Sequence, residues 1–158
     1  MATVRKMPLF QNWELRRRRM GKGGWRLDNK RTCMETRQAI SEYDIRVSGY
    51  AERTENLSGG NLQKFILARE LSKKPAVFVC SNPTRGIDVK ASWAIRNRIM
   101  EARAAGMAVV VSSGDLEELF YLCDRLIVLY RGRIRAEVDP KDISVNALGS
   151  LMLGVEQA

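Results

Sequence analysis

The sequence predicts an α/β fold built on a mostly parallel sheet with flanking helices. Three observations predict it. Two unbroken apolar runs, Ala76-Val77-Phe78-Val79-Cys80 and Val109-Val110-Val111, are separated by a stretch with helical patterning; a third, Leu126-Ile127-Val128-Leu129-Tyr130, follows another short helical pattern. Strands alternating with helices argue for parallel pairing through right-handed crossovers, and unbroken apolar strands suit a sheet covered on both faces. At 158 residues and 45% hydrophobic composition the chain is globular in class and of a size for one domain.

Each element can be argued in turn. Residues 1–28 mix Gly, Pro and Arg without a sustained period and read as largely irregular, with a short helix around 12–18. Gly21-Lys22-Gly23-Gly24-Trp25 reads as a loop. Residues 32–43 read as a helix with Met34, Ala39 and Ile40 among its apolar positions. The helix over 61–72 carries Phe65, Ile66, Ala68 and Leu71 and stops near Lys73-Lys74-Pro75, where cations suit a helix C-terminus and proline blocks continuation. Residues 77–80 then form a buried strand. The helix after Asp88 puts Ala91, Ile95, Ile99 and Ala102 on one face and ends at Gly106, and 107–112 is a second buried strand. A helix over 116–123 precedes a strand over 126–130, and Arg131-Gly132 is a tight hairpin turn into 133–138. Asp139-Pro140 starts a last pair of short helical turns that close at Gly154.

Charge and cysteine usage bound the function. Lys and Arg outnumber Asp and Glu by 27 to 18, a net charge of +9, concentrated in Arg16-Arg17-Arg18-Arg19, Lys22 and Arg26 and flanked by Trp13 and Trp25. Such a run can bind nucleic acid through phosphate contacts and stacking, or lie on anionic lipid. A solvated basic segment is the simpler reading, so nucleic-acid binding is kept as a minor alternative. No run of about 18 apolar residues could span a bilayer and no apolar signal segment follows Met1, which leads to the expectation of a cytoplasmic protein. Cys33, Cys80 and Cys123 are odd in number, far apart and without metal-ligand spacing; they fit a reduced compartment and no metal site.

The stretch that carries chemistry is Leu57-Ser58-Gly59-Gly60-Asn61-Leu62-Gln63-Lys64, which opens onto a helix. A helix start leaves its first N–H groups without intrahelical partners and carries partial positive charge, so an anion can settle there. Glycine lets the backbone approach closely. Taken alone, an S-G-G before a helix is more simply read as a helix cap at Ser58.

The longer string resembles the signature motif of the ABC transporter ATPases, in the LSGGNQQK form found in importers for simple sugars and nucleosides, with Leu62 where Gln is usual. Further motifs agree in order and spacing. Ala68-Arg69-Glu70-Leu71 follows on the same helix, and Ala76 to Cys80 resembles the Walker B strand. Asn82-Pro83-Thr84-Arg85-Gly86-Ile87-Asp88-Val89 is similar to the PTRGLDV turn and D-loop. Asp115-Leu116-Glu117-Glu118-Leu119 resembles the helix after the switch strand, and 123–134 the family's closing S-D-R-I-x-V-M-Y-x-G-R-I string. The resemblance covers about 41–153.

The resemblance implies an incomplete P-loop-type ABC ATPase domain with part of its helical subdomain and a C-terminal hairpin. Its implied divisions are an irregular basic segment over 1–31, part of the helical subdomain with the signature over 32–75, and the C-terminal part of the ATPase core over 76–158. The sequence holds no G-x-x-x-x-G-K-[ST] string, the loop that cradles the β- and γ-phosphates. The expectation is therefore a fragment starting inside the helical subdomain.

By register with the family, the Walker B Asp and Glu are replaced by Ser81 and Asn82, and the switch histidine by Gly114; the chain has no histidine at all. Neutral side chains cannot hold Mg²⁺ through charge or take up a proton, and general acid–base help is commonly worth about 10²–10⁴-fold in rate. No intact catalytic set is expected. What the family implies for the rest is an ATP sandwich shared by two domains. Ser58 would bond the γ-phosphate bound to a partner's P-loop, Gly59, Gly60 and Asn61 would present N–H groups, and Gln63 would lie near the ribose. Asp88 would contact the partner through the D-loop, cap the following helix, or both. Arg85 and Lys64 stand equally well as plain surface charges.

ATP is the implied cofactor, with Mg²⁺ held mainly by the partner. The implied partners are a P-loop-bearing ATPase domain and membrane permease subunits, which would hold the chain peripherally on the inner face of the cell membrane. The function expected is an ATP-binding fragment of an ABC importer for a sugar-like or nucleoside-like solute, not hydrolysing ATP alone. An inactive truncated gene product is the alternative.

Overall fold

The computed structural model describes residues 3–19 and 29–154, without the side chains of 16–19. The expected loop at Gly21 to Trp25 and the side chains of the basic run, Arg16 to Arg19 with Lys22 and Arg26, lie outside the described residues. The described parts of Met1–Phe78 and Thr84–Ala108 form one compact unit, and those of Val79–Pro83 and Val109–Ala158 a second.

The first unit is helical. Helix α1 runs over Leu9–Arg19, three residues earlier than the helix expected around 12–18, so this stretch is more ordered than its composition suggests. Its buried face is half polar: Leu9, Asn12, Trp13 and Glu14 are all shielded, which hides the apolar period. Asn12 closes the approach to the helix by accepting from Val4 N at 2.8 Å and donating to the Met7 carbonyl at 2.9 Å. Helix α2, Asn29–Glu42, buries Thr32, Thr36 and Ala39. Met34, expected on the apolar face, is 69% exposed because the threonines occupy that face instead; Thr32 Oγ1 donates to the Glu14 carboxylate at 3.0 Å.

Helix α3 spans Gly59–Leu71 and buries Phe65, Leu67, Ala68 and Leu71. Leu9, Trp13, Ala39, Ile45, Phe65 and Ala68 form the core of the unit, with the Trp13 and Phe65 rings 6.0 Å apart. Helix α4, Val89–Ala104, buries Ala91, Ile95 and Ile99, three of the four positions its spacing predicts.

Strands β1, Val77–Ser81, and β2, Ala108–Ser112, pair with each other. The Ala108 N–H donates to the Ala76 carbonyl at 3.0 Å and Asn82 N–H to the Ser112 carbonyl at 2.6 Å, so the strands run parallel. Both were expected to be buried, and only one face is: Phe78 is shielded while Val77, Val79 and Val110 are 55%, 69% and 54% exposed. With two strands in the sheet, nothing among the described residues covers the other face.

The second unit adds helix α5, Leu116–Leu122, the hairpin of β3, Leu126–Tyr130, with β4, Arg133–Val138, and helix α6, Val145–Leu153. The hairpin is antiparallel, from Leu126 opposite Val138 to Tyr130 opposite Arg133. Its turn residues Arg131 and Gly132 both have positive φ, 47° and 75°, the twist that two-residue hairpin turns require. Leu148 of α6 packs on Leu126 and Val128. The expected pair of helical turns after Asp139-Pro140 is one helix only. Asp139 Oδ1 accepts from Lys141 N at 2.8 Å, which closes a turn, and α6 then starts on the Ser144 cap and ends at Gly154 in the left-handed region.

Candidate functional site

The Ser58 turn is built by its neighbours in the first unit. Ser58 is extended, at φ −61° and ψ 157°, and its hydroxyl oxygen caps α3 by accepting from Asn61 N at a long 3.4 Å and from Asn61 Nδ2 at 2.9 Å. Both bonds use the oxygen as acceptor, so the hydroxyl proton stays available for an outside acceptor. Asn61 is held in turn, its Oδ1 accepting from Arg46 N at 2.9 Å. Gly59 and Gly60 supply N–H groups that, at the first turn of a helix, have no intrahelical acceptor.

Gly60 has a second reason to be glycine. A Cβ there would lie 2.8 Å from the Ala91 Cβ and 3.5 Å from Asp88 Oδ2, so α3 and α4 meet backbone to side chain at this point. Asp88 caps α4, its Oδ1 accepting from Ala91 N at 2.8 Å. A cleft of about 420 Å³ opens beside the turn; Ser58, Asn61, Lys64, Asp88, Tyr43 and Arg98 are among its lining residues.

Cations and carbonyls organise the far wall of this cleft. Lys64 Nζ donates to the Asp44 carbonyl at 2.8 Å and lies 3.4 Å from the Asp44 carboxylate, with only 13% of its side chain exposed. Arg98 stacks on the Tyr43 ring at 4.6 Å, bonds Glu101 at 2.8 Å and donates to the Glu42 carbonyl. Burial first and the Glu42 charge second push the Tyr43 phenol up, against the opposing charge of Arg98. The loop that leads to the signature is thus tied down at Asp44 and Arg46.

In the second unit Ser81, Asn82 and Gly114, the three residues expected at the catalytic register, stand together. Ser81 ends β1, and Asn82 follows with φ 47°, a left-handed conformation that asparagine tolerates. Asn82 Nδ2 donates to Ser81 Oγ at 3.2 Å, and Asn82 Oδ1 accepts from Gly114 N at 3.2 Å. One neutral amide therefore bridges the strand end and the loop after β2. Nearby in the fold, burial first, then the Glu118 charge and Cys123, push the Cys80 thiol up to about 11; it is an inert thiol at neutral pH.

Comparison with known proteins decides the family. Over 78% of its length the chain is 41% identical to the guanosine import ATP-binding protein NupO of Bacillus subtilis, and over 85% it is 39% identical to the nucleoside import ATP-binding protein NupA of Lactococcus lactis. It is 43% identical over 73% of its length to the glucose import ATP-binding protein TsgD13 of Haloferax volcanii. The chain belongs to the ABC transporter ATP-binding proteins. It spans 24%, 26% and 21% of these three relatives, about a quarter of their length. No family model matches it.

The fold of this ABC-family chain also matches solved cassettes. A dimeric ATP-binding cassette in a post-hydrolysis state, bound to ADP and Pi, superimposes with a TM-score of 0.72 at 20% identity, over 87% of this chain and 59% of that one. An ATP-binding subunit of an ABC transporter gives 0.71 at 20% identity over 96% and 63%.

The structure brings Ser58, Gly59, Gly60 and Asn61 together at one helix start, with Gln63 half-buried in the next turn and Asp88 beside Gly60. It separately gathers Ser81, Asn82 and Gly114. Sequence reasoning missed Asp44, Arg46 and Arg98, the groups that shape the cleft. The one signal available was the Asp at 44 in a short gap between two helical patterns, where a turn with positive φ, here 46°, is common for Asp. Lys64, which sequence left as a plain surface charge, is largely shielded by its bonds to Asp44.

Proposed function

We propose that this chain is an ATP-binding portion of an ABC importer for a sugar-like or nucleoside-like solute, and that it supplies its LSGG signature in trans to a nucleotide held on a partner's P-loop. The observation that carries this reading is the Ser58 turn: an exposed hydroxyl with its proton unused by the cap, beside two glycine N–H groups at a helix start. That set fits an anionic phosphate. Ser58 donates to the γ-phosphate, Gly59, Gly60 and Asn61 orient their N–H groups toward it, Gln63 lies toward the ribose, and Asp88 faces the partner. Asp88 serves as helix cap in the same conformation.

Ser81 and Asn82 carry no charge and suit neither Mg²⁺ nor a proton transfer, so Mg²⁺ and most of the triphosphate belong to the partner. Bound ATP contributes the negative charge that joins the two domains. The names of the relatives, importers of guanosine, nucleosides and glucose, support the solute class. In this reading permease subunits hold the chain on the inner face of the cell membrane. No helix among the described residues is long and apolar enough to cross a membrane.

The test is ATP-dependent pairing with a P-loop-bearing cassette that binds but does not hydrolyse ATP. Ser58→Arg fills the anion position with a bulky cation and is expected to abolish pairing; loss of the helix cap costs about 0.5–2 kcal/mol, so the melting temperature falls modestly while the chain stays folded. Pairing that survives the substitution overturns the reading.

A further inference from the structure

We propose that Arg98 is a positioning residue for the signature turn: by tying α4 to the C-terminus of α2, it fixes where Ser58 stands relative to Asp88. The inference rests on the pairing reading, because those are the two groups which that reading turns toward the partner's nucleotide.

Helix α2 ends in a left-handed cap. Asp44 has φ 46°, its N–H donates to the Ser41 carbonyl at 3.3 Å, and the Ile45 N–H donates to the Ile40 carbonyl at 2.9 Å. This closure leaves the Glu42 and Asp44 carbonyls as acceptors at the negative end of a helix, where a cation is favoured. Two cations from other helices take them. Lys64 of α3 donates to the Asp44 carbonyl at 2.8 Å, and Arg98 of α4 donates to the Glu42 carbonyl. The chain then continues through Ile45, buried in the core of the unit, to Arg46, whose N–H donates to Asn61 Oδ1 at 2.9 Å. Asn61 Nδ2 in turn donates to Ser58 Oγ at 2.9 Å. The end of α2 is therefore a bracket between the signature helix and the helix that Asp88 caps.

Helices α3 and α4 are in close contact at Gly60, against the Ala91 Cβ. Arg98 lies about 10 Å further along α4, so its tie resists the rotation that close contact at one end alone permits. Arginine suits this task where lysine does not. Its planar guanidinium stacks on the Tyr43 ring at 4.6 Å while its nitrogens donate to the Glu42 carbonyl and, at 2.8 Å, to Glu101 Oε2.

The test measures ATP-dependent pairing of the whole chain with a P-loop-bearing cassette that binds but does not hydrolyse ATP, each variant being held well below its melting temperature. Arg98→Ala is expected to weaken pairing about tenfold, and Arg98→Lys, which keeps the charge but loses the stacked fork, about threefold. Glu101→Gln removes only the outer ion pair and is expected to stay within about twofold of the parent. In the unpaired chain, Arg98→Ala should quicken amide exchange at Arg46 and Asn61 while that of Ala68, in the middle of α3, holds; a general loss of stability would quicken all three. Parent-like pairing by Arg98→Ala, with Ser58→Arg still abolishing it, overturns the positioning role and leaves the pairing reading intact. An equal loss in Glu101→Gln also overturns it, because surface charge would then be the cause. No pairing by the parent chain sinks the reading and this role together.

Discussion

The turn at Ser58 and the strand end at Ser81 are held by different means. At the first, the groups offered to a ligand are mostly backbone N–H groups, and the surrounding side chains serve to fix that backbone: Arg46 N anchors Asn61, and Ala91 presses against Gly60. At the second, the proposed register would call for side-chain carboxylates and an imidazole. Here those positions are a hydroxyl, an amide and a glycine that bond to one another, through Asn82, instead of pointing their polarity outward. A function made by backbone geometry persists as long as the packing beneath it does. A function made by ionisable side chains is lost with a single replacement.

The contrast is broken most directly by adding one carbon at each site. Gly60→Ala puts a Cβ 2.8 Å from that of Ala91, neither of which can swing away, so α3 and α4 must part. The expected loss is about 1–3 kcal/mol in urea unfolding, partly recovered in an Ala91→Gly background. Gly114→Ala meets nothing within 4 Å and is expected to stay within about 0.5 kcal/mol of the parent. Equal losses at both glycines would show that close packing does not distinguish the two sites.

A smaller effect tests whether the far end of the signature helix matters. Glu35 takes hydrogen bonds from Trp13 Nε1 at 3.0 Å and Arg31 Nε at 2.8 Å, and Lys73, just past α3, lies 3.8 Å away. Partial burial raises its pKa, but the bonds from Arg31 and Trp13 and the charges of Lys73 and Arg31 outweigh that and hold it below the ordinary 4.5. A carboxyl lowered on folding adds stability in full above its unfolded value, and loses it as pH falls through the folded value. Glu35→Gln is expected to cost about 0.5–1 kcal/mol at pH 7 and to flatten the decline of stability below about pH 4.5. An unchanged acid limb in pH-dependent unfolding would show that this carboxyl holds nothing.

Sequence made some of this legible and left other parts dark for physical reasons. The face of α4 could be read from Ala91, Ile95 and Ile99, because a single helix buries them on one side. The Arg131-Gly132 turn could be read because its backbone requires residues that tolerate positive φ. The start of α1 could not, since Asn12 and Glu14 are buried by hydrogen bonds rather than by apolarity. Nor could the bare faces of β1 and β2: an unbroken valine run says that a strand can be covered twice, not that it is. At the candidate site the anion-facing string was readable as local chemistry. The cleft wall of Asp44, Arg46 and Arg98 was not, because it arises from segments 15 to 56 residues apart in sequence.

The smallest expected effect is none. Ser81→Asp with Asn82→Glu returns two carboxylates to the end of β1, the side chains the family uses for Mg²⁺ and for orienting water. Those groups act on a γ-phosphate that something else must hold, and the chain contains no loop of the G-x-x-x-x-G-K-[ST] kind to hold it. The doubly substituted chain alone should therefore show no phosphate release above a protein-free control. Removing the Asn82 amide also breaks the bridge from Ser81 to Gly114, so the amide exchange of Gly114 should quicken, which verifies that the substitutions reached the site. Measurable turnover by the lone chain would mean that the triphosphate can be gripped by groups other than a P-loop, and the division between a binding turn and a silent strand end would fail.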